Sequence, residues 1–153
     1  IQKAIDEWQG SGRTLVLPAG TYLVSAPLRY APGKGYGYNN LRGAGAHKTT
    51  IRLKDDTFTD GAKPQPVLSL GFNGKPDGKG VHADWFNNNV TDFTIDTGRG
   101  NAGAIALQYY SNNAGALRDV ALVSRDAKGH TGLDLGYADQ NGPCLVKGIT
   151  IDG

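Results

Sequence analysis

The sequence of 153 residues contains a single cysteine, Cys144, and no methionine, and its charges are dispersed. One cysteine cannot form an internal disulfide and has no partners for a zinc site. We predict no metal site, and separately we expect no cofactor. The apolar runs are only a few residues long, which excludes a membrane-spanning helix. The 16 basic and 14 acidic residues are scattered and give a net charge of +2. This distribution predicts neither a nucleic-acid partner nor a membrane partner.

Glycine is abundant, with 23 residues, while 39% of the sequence is hydrophobic. This composition is typical of a β protein that is rich in turns, and the length suits one domain. A helical pattern occurs at the start of the chain, where Ile1, Ala4, Ile5 and Trp8 have helical spacing. We therefore predict a short amphipathic helix over Ile1–Trp8 that ends before Gly10 and Gly12.

Two series of similar short strands repeat along the second half of the chain. The segments "VTDFTI", "LRDVAL" and "VKGITI" begin at Val90, Leu117 and Val146, which lie 27 and 29 residues apart. Between them, "GAIALQYY" and "GLDLGY" align so that Ile105 and Leu133 lie 28 residues apart. A common period of about 28 residues indicates stacked coils, each of which carries at least two strands.

These repeats predict an all-β fold, a right-handed single-stranded parallel β-helix (a solenoid) whose N-terminal end the Ile1–Trp8 helix caps. The last strand, in "ITIDG", stops in the middle of a coil with no cap after it. We therefore expect residues 1–153 to be the N-terminal part of one longer β-helix domain. The residues expected to form interior columns are Ile105, Leu107, Leu133 and Leu135.

The first segments resemble a known family. "IQKAIDEW", followed by "LVLPAGTYLVSAPL", resembles the opening of right-handed β-helix proteins of the pectate lyase superfamily, or pectin-lyase-like proteins. "NNLRGAGAHKTTIRL" is similar to the coil that follows in them, and the later coils look most like relatives of glycoside hydrolase family 55. The resemblance implies a secreted, extracellular enzyme that degrades a polysaccharide. The resemblance also leaves two alternatives, a polysaccharide lyase or a non-catalytic glycan-binding β-helix such as an adhesin or a tailspike stem.

The motifs that would identify the reaction are absent from this sequence. It lacks the Asn-Thr-Asp, Asp-Asp, Gly-His-Gly and Arg-Ile-Lys motifs of polygalacturonases. The segment "GHTG" at residues 129–132 is only weakly similar to Gly-His-Gly. No acidic cluster with an arginine base, as in calcium-dependent lyases, is evident. We therefore favour a glycoside hydrolase over a lyase, and the catalytic residues are unknown.

Hydrolysis of a glycosidic bond requires two carboxyl groups. Asp134 lies between two apolar residues in "GLDLGY" and is expected to point outward, with Ala106 as its equivalent one coil earlier. Asp96 and Asp152 occupy like positions two coils apart, but each precedes a turn and is more typical of an aspartate that bonds its own backbone. Asp134 and Asp96 are thus weak catalytic candidates, and we expect residues 1–153 alone to be inactive.

Aromatic rings can pack against the C–H faces of sugars, so four are candidate substrate contacts. Tyr109 and Tyr137 are expected to be equivalent across one coil, as an exposed sugar platform or as a buried core pair. Tyr110 follows Tyr109, and Trp85 either lines a groove or pins down the long loop. The asparagines at residues 87–89 and 112–113 are expected to form corners and ladders.

Overall fold

A computed structural model describes residues 1–30, 37–71, 85–136 and 142–153. These residues form one short helix and eleven short strands in the described part of the chain. The elements are α1 (Gln2–Trp8), β1 (Thr14–Val16), β2 (Gly20–Val24), β3 (Leu28–Arg29), β4 (Asn40–Arg42), β5 (Thr49–Leu53), β6 (Gln65–Leu70), β7 (Asn89–Asp96), β8 (Ala104–Tyr109), β9 (Gly115–Val123), β10 (Thr131–Asp134) and β11 (Cys144–Asp152).

The strands pair in parallel and form two sheets. In the larger sheet, β7 pairs through its first half with β4 and through its second half with β5, and β9 and β11 stack on it in turn. The smaller sheet has the order β10-β8-β6-β3. Because the chain alternates between the sheets, the arrangement is consistent with a β-helix, and the predicted β-rich fold with one N-terminal helix is confirmed. No helix of the described residues is long and apolar enough to cross a membrane.

The register of the larger sheet matches the repeat in the sequence. Val90 lies opposite Leu117, and Leu117 lies opposite Val146, as the aligned segments predicted. The next apolar positions also stack, because Ile51, Ile95 and Leu122 follow one another on successive rungs. Each of these three side chains is at most 1% exposed. The predicted alignment of these segments is therefore confirmed.

A bend in each long strand explains why two residues separate the first two apolar positions of the repeat. Asp92, Asp119 and Gly148 occupy equivalent places, with φ values of 66°, 53° and 66°. A residue in this left-handed region turns the chain, so that the apolar residues before and after it both face the core. The carboxylate of Asp119 occupies the space that a side chain at Gly148 would need. Glycine at position 148 therefore fits both the conformation and the contact.

The predicted alignment of the smaller sheet is wrong by two residues. Leu133 lies opposite Leu107, which is 26 positions earlier, and not opposite Ile105. Asp134 accordingly lies opposite Gln108 and not Ala106. The step between β9 and β11 is 29 residues, as from Leu117 to Val146, so the two sheets repeat at different intervals. Turn length can vary between strands without disturbing the strands themselves, and an average period of 28 hides this variation.

The core runs along the inside of the sheets. Leu28, Leu68 and Leu107 stack in the smaller sheet and are buried, and Leu133 packs against them. Leu135, which was predicted to extend the interior columns, is 41% exposed. Its prediction as a core residue is wrong, because β10 ends at Asp134 and Leu135 lies just beyond the paired strand.

The helix closes the N-terminal end of the core. Ile5 is fully buried, and the side-chain amide of Gln2 bonds both backbone groups of Arg29. Its Nε2 donates to the Arg29 carbonyl at 2.8 Å, and its Oε1 accepts from the Arg29 N–H at 2.9 Å. Arg29 belongs to edge strand β3, whose free backbone groups would otherwise offer a site for strand addition. The predicted capping role of the helix agrees with these contacts.

Asparagines form the predicted ladder directly before strands β4 and β7. Asn88 Oδ1 accepts from the backbone N–H and the Nδ2 of Asn39, at 3.2 and 3.1 Å. Asn88 Nδ2 donates to the Tyr110 carbonyl at 3.2 Å. Asn87 and Asn113 have positive φ values of 51° and 48°, as expected of asparagine at tight corners. The ladder satisfies backbone groups that the turns leave without strand partners.

We predict that Asn88→Ala destabilises the protein by about 2–3 kcal/mol, because it leaves buried backbone groups without partners. Asn88 is fully buried, whereas Asn40, which is half-buried, bonds to groups that water can reach. Asn40→Ala is therefore the matched control, with an expected loss below about 1 kcal/mol. Urea unfolding followed by circular dichroism measures both. Equal losses in the two variants would contradict a structural role specific to the buried ladder.

Candidate functional site

A polar column lies on the smaller sheet, on the face opposite its core leucines. Ser69, Gln108 and Asp134 occupy successive rungs, directly after Leu68, Leu107 and Leu133. Because successive side chains of a strand point to opposite faces, the burial of the leucines places the polar residues on the outer face. The prediction that Asp134 points outward therefore agrees with the structure.

Hydrogen bonds connect this column from rung to rung. Ser69 Oγ donates to Gln108 Oε1 at 2.8 Å, and Gln108 Nε2 donates to Asp134 Oδ2 at 2.9 Å. The Tyr110 hydroxyl also donates to Asp134 Oδ2, at 3.3 Å, and the Gly136 N–H donates to Asp134 Oδ1 at 2.8 Å. Asp134 is thus a half-buried carboxylate that three donors hold in a fixed orientation.

The column contains one carboxyl group. Before Ser69, the equivalent residue is Arg29, so in the described residues the column runs arginine, serine, glutamine, aspartate. A paired-carboxyl mechanism needs separations of roughly 5–9.5 Å, which correspond to one or two rungs at about 4.8 Å per rung. Asp134 has no such carboxyl partner on the preceding two rungs of its column.

The structure gives Asp96 a structural role. Its side chain is 1% exposed, Oδ1 accepts from the Gly98 N–H at 2.8 Å, and Oδ2 accepts from Arg125 Nε. Arg52 Nε lies 3.8 Å from the same Oδ2. The interpretation of Asp96 as an aspartate that bonds its own turn is confirmed. The predicted equivalence of Asp96 and Asp152 is confirmed as well. Val123 lies on the rung between them and pairs with Asp96 on one side and with Asp152 on the other.

A second carboxylate joins this ion cluster at the surface. Asp55 Oδ1 accepts from the Arg99 N–H at 3.0 Å and from Arg52 Nη2 at 2.8 Å. These contacts hold the pKa of Asp55 below its usual range, and the hydrogen bond from the Arg99 backbone contributes most. Asp55 therefore stays ionised beside Arg52 at neutral pH.

Three of the four predicted sugar contacts lie in the core. Tyr109, Tyr110 and Trp85 are exposed by 0%, 2% and 1%. The Tyr109 hydroxyl donates to the Asn88 carbonyl at 2.7 Å, and the Tyr110 ring packs against Gly71. Of the two alternatives for Tyr109, the structure places it in the core, and Trp85 is a core residue as well. None of these rings offers a free face to a sugar here, and Tyr137 lies outside the described residues.

Sequence reasoning missed Ser69 and Gln108. A signal was present, because "LSL", "LQY" and "LDL" each place a polar residue directly after a core leucine. The two-residue error in alignment placed Ala106, and not Gln108, beside Asp134.

In the described residues, no group of three or more potential metal ligands lies close together. Cys144 is half-buried, and burial raises the pKa of its thiol.

Comparison with known proteins identifies one family. A family model described as rhamnogalacturonase A/epimerase, pectate lyase-like, matches residues 1–153. No curated protein and no solved structure matches the chain. The predicted resemblance to the pectate lyase superfamily is thereby confirmed, while the similarity to glycoside hydrolase family 55 stays a prediction.

We expect Asp96→Asn to lower the stability of the protein by about 1–2 kcal/mol, because it removes the negative charge from Arg125 and Arg52. The variant keeps an oxygen to accept the Gly98 N–H. Asp152→Asn is the matched control, since Asp152 is exposed in the same column. Urea unfolding of both variants measures the difference. Unchanged stability with loss of activity would contradict the structural role and make Asp96 a catalytic residue.

Proposed function

Because the chain belongs to the rhamnogalacturonase A/epimerase family of pectate lyase-like proteins, we propose that it acts outside the cell on a polysaccharide, as a glycoside hydrolase. We further propose that its parallel strands wind as a right-handed single-stranded solenoid. Crossovers between parallel strands are right-handed in almost all proteins, which supports this hand.

The observation that carries the proposal is the polar column Ser69–Gln108–Asp134. Sugars are recognised through hydrogen bonds to their hydroxyl groups, and this column presents an amide and a carboxylate on consecutive rungs. The chain of bonds from Ser69 fixes the orientation of the Gln108 amide, which in turn fixes Asp134. Preorganised groups of this kind lose little conformational entropy when a ligand binds.

Asp134 fits a role in substrate positioning better than a role as proton donor. Its oxygens already accept from Gln108, Tyr110 and Gly136, so the carboxyl acts as a hydrogen-bond acceptor. A general acid must instead carry a proton that it can deliver to the leaving oxygen. We also propose Tyr137, the remaining predicted sugar contact, as a substrate-binding residue.

Two alternatives follow from the family. A lyase would eliminate rather than hydrolyse, and no observation in the described residues favours it. A non-catalytic glycan-binding protein is favoured by the single carboxyl in the Asp134 column, because a two-carboxyl mechanism is incomplete there. Activity measurements on the full-length protein separate the three.

We expect the full-length protein to release reducing ends from one member of a panel of β-glucans, galactans and pectins, without an unsaturated product. Hydrolysis adds water across the glycosidic bond, whereas elimination leaves a double bond that absorbs ultraviolet light. A reducing-end assay and absorbance at the same time points measure the two products. Unsaturated sugars would contradict the hydrolase proposal, and no reaction with any glycan would favour the binding protein.

A second test concerns the role of Asp134. On the glycan that is cleaved, Asp134→Asn should raise KM several-fold and lower kcat less than tenfold, because a positioning contact acts mainly on binding. Asp152→Asn, an exposed aspartate on a different sheet, is the control and should change neither value. A fall in kcat of several orders with stability intact would show that Asp134 is a catalytic residue.

A further inference from the structure

The polar column Ser69–Gln108–Asp134 has one polar contact more than it has protons to fill. Ser69 Oγ lies 2.8 Å from the Gly71 carbonyl oxygen and also 2.8 Å from Gln108 Oε1. Both of these neighbours are acceptors, whereas a serine hydroxyl carries one proton. Ser69 can therefore donate to Gly71 or to Gln108, but not to both at once.

Both acceptors are placed where they need this proton. Ser69 is 2% exposed and Gly71 is buried, and the Gly71 carbonyl receives no backbone hydrogen bond from the described residues. Two oxygens at 2.8 Å with no proton between them repel each other, because each presents lone pairs. A buried acceptor without a donor also destabilises the folded state. When Ser69 donates to Gln108, the contact with Gly71 is thus left unsatisfied.

Rotation of the Gln108 amide by half a turn resolves this conflict. The oxygen and nitrogen ends of a side-chain amide have nearly the same shape, so the rotation requires no other movement. In the rotated form Nε2 donates to Ser69 Oγ, and Ser69 donates to the Gly71 carbonyl. Gln108 Oε1 then faces Asp134 Oδ2, and the 2.9 Å between these positions requires a proton.

The missing proton fits on Asp134. The contacts Gly71–Ser69, Ser69–Gln108 and Gln108–Asp134 each require one proton, and Ser69 and Gln108 supply one each. An ionised Asp134 therefore leaves one contact unfilled. When Oδ2 takes a proton from water, Asp134 donates to the rotated amide and every contact is a hydrogen bond. The bonds from Tyr110 and Gly136 use other lone pairs of the carboxyl and persist in both forms.

We propose that Ser69 and Gln108 form a proton-linked switch, which binds one proton at Asp134 and turns the Gln108 amide over as it does so. Gln108 Nε2 points to Asp134 in the ionised form and to Ser69 in the protonated form. Ser69 is a positioning residue in this switch, because its bond to Gly71 favours the rotated amide. The switch rests on these hydrogen bonds and not on the proposed function.

Few ionisable groups face Asp134 in the described residues. Tyr110 contacts it through the hydroxyl, and Asp134 forms no ion pair there. His130, which precedes β10, bonds Thr131 Oγ1 at 2.8 Å, and Arg29 lies three rungs away in the column. The charged residues of β9 and β11 lie on the outer face of the larger sheet or at its bend, namely Arg118, Asp119, Lys147 and Asp152.

The variant Asp134→Asn tests the switch at neutral pH, because an amide at position 134 can donate to Gln108 as a carboxylic acid does. In the full-length wild type, the side-chain amide protons of Gln108 should lie near the β protons of Asp134. In D134N they should lie near those of Ser69, with the rotated form favoured about fivefold by its one additional hydrogen bond. Nuclear Overhauser effects from the Gln108 signal, identified by its loss in Q108L, measure both distances. Gln65, which is exposed on β6, is the control and should not change.

Ser69 variants test what favours the rotated amide. S69A/D134N removes the donor to Gly71, so the two orientations of the Gln108 amide should become about equally populated. S69T/D134N keeps a hydroxyl and should keep the rotated form. In the wild type, acidification should turn the amide over in the same pH range in which the carbon signal of the Asp134 carboxyl titrates.

Three outcomes would overturn the proposal: an unrotated Gln108 amide in D134N, the same rotated amide in S69A/D134N as in D134N, or titration of Asp134 in the wild type without rotation. Circular dichroism checks that each protein is folded, and if acid unfolds the wild type, the variants at neutral pH decide. No glycan enters these measurements. The absence of polysaccharide cleavage would therefore contradict the hydrolase and leave the switch intact.

Discussion

The parallel register between rungs is the constraint on which the rest of the structure depends. In this arrangement each inward side chain lies on its equivalent on the next rung, as Ile51, Ile95 and Leu122 do. The residue on one rung therefore limits the residue on the next, both in size and in backbone conformation. Asp119 and Gly148 show this limit directly, because the carboxylate of one fills the space beside the other.

The same register organises the outer faces, where it produces polar columns in place of apolar ones. On the smaller sheet, Gln108 accepts a hydrogen bond from Ser69 and donates one to Asp134. A side chain in such a column is oriented by its neighbours along the stack and needs no support from a distant element. A rigid binding surface thus follows from the stacking itself, and consecutive rungs can supply several contacts to one extended ligand.

The sequence predicted the larger sheet well and the smaller sheet poorly, and turn length explains the difference. In the larger sheet, the bend at Asp92 and Asp119 uses one residue each time, so the apolar spacing is preserved. In the smaller sheet, strand β10 is followed by a longer connection than β8, and the alignment by an average period failed by two residues. That error placed the wrong neighbour beside Asp134. The burial of Tyr109 could not be predicted from the sequence either. It depends on the register of the strands and on the hydrogen bond from the Tyr109 hydroxyl to the Asn88 carbonyl.

The two halves of the larger sheet show that charge placement here is not dictated by the fold. Strands β7, β9 and β11 contribute to both halves, while β4 pairs with the first half of β7 and β5 with the second. In one half Asp96 lies 1% exposed between Arg52 and Arg125 and neutralises them, at the cost of burying a carboxylate. In the other half Arg42 and Arg118 flank the uncharged Thr91, where an aspartate would complete the same arrangement. The stacked register therefore fixes where an outward side chain lies, and the residue on the neighbouring rung decides whether its charge is neutralised.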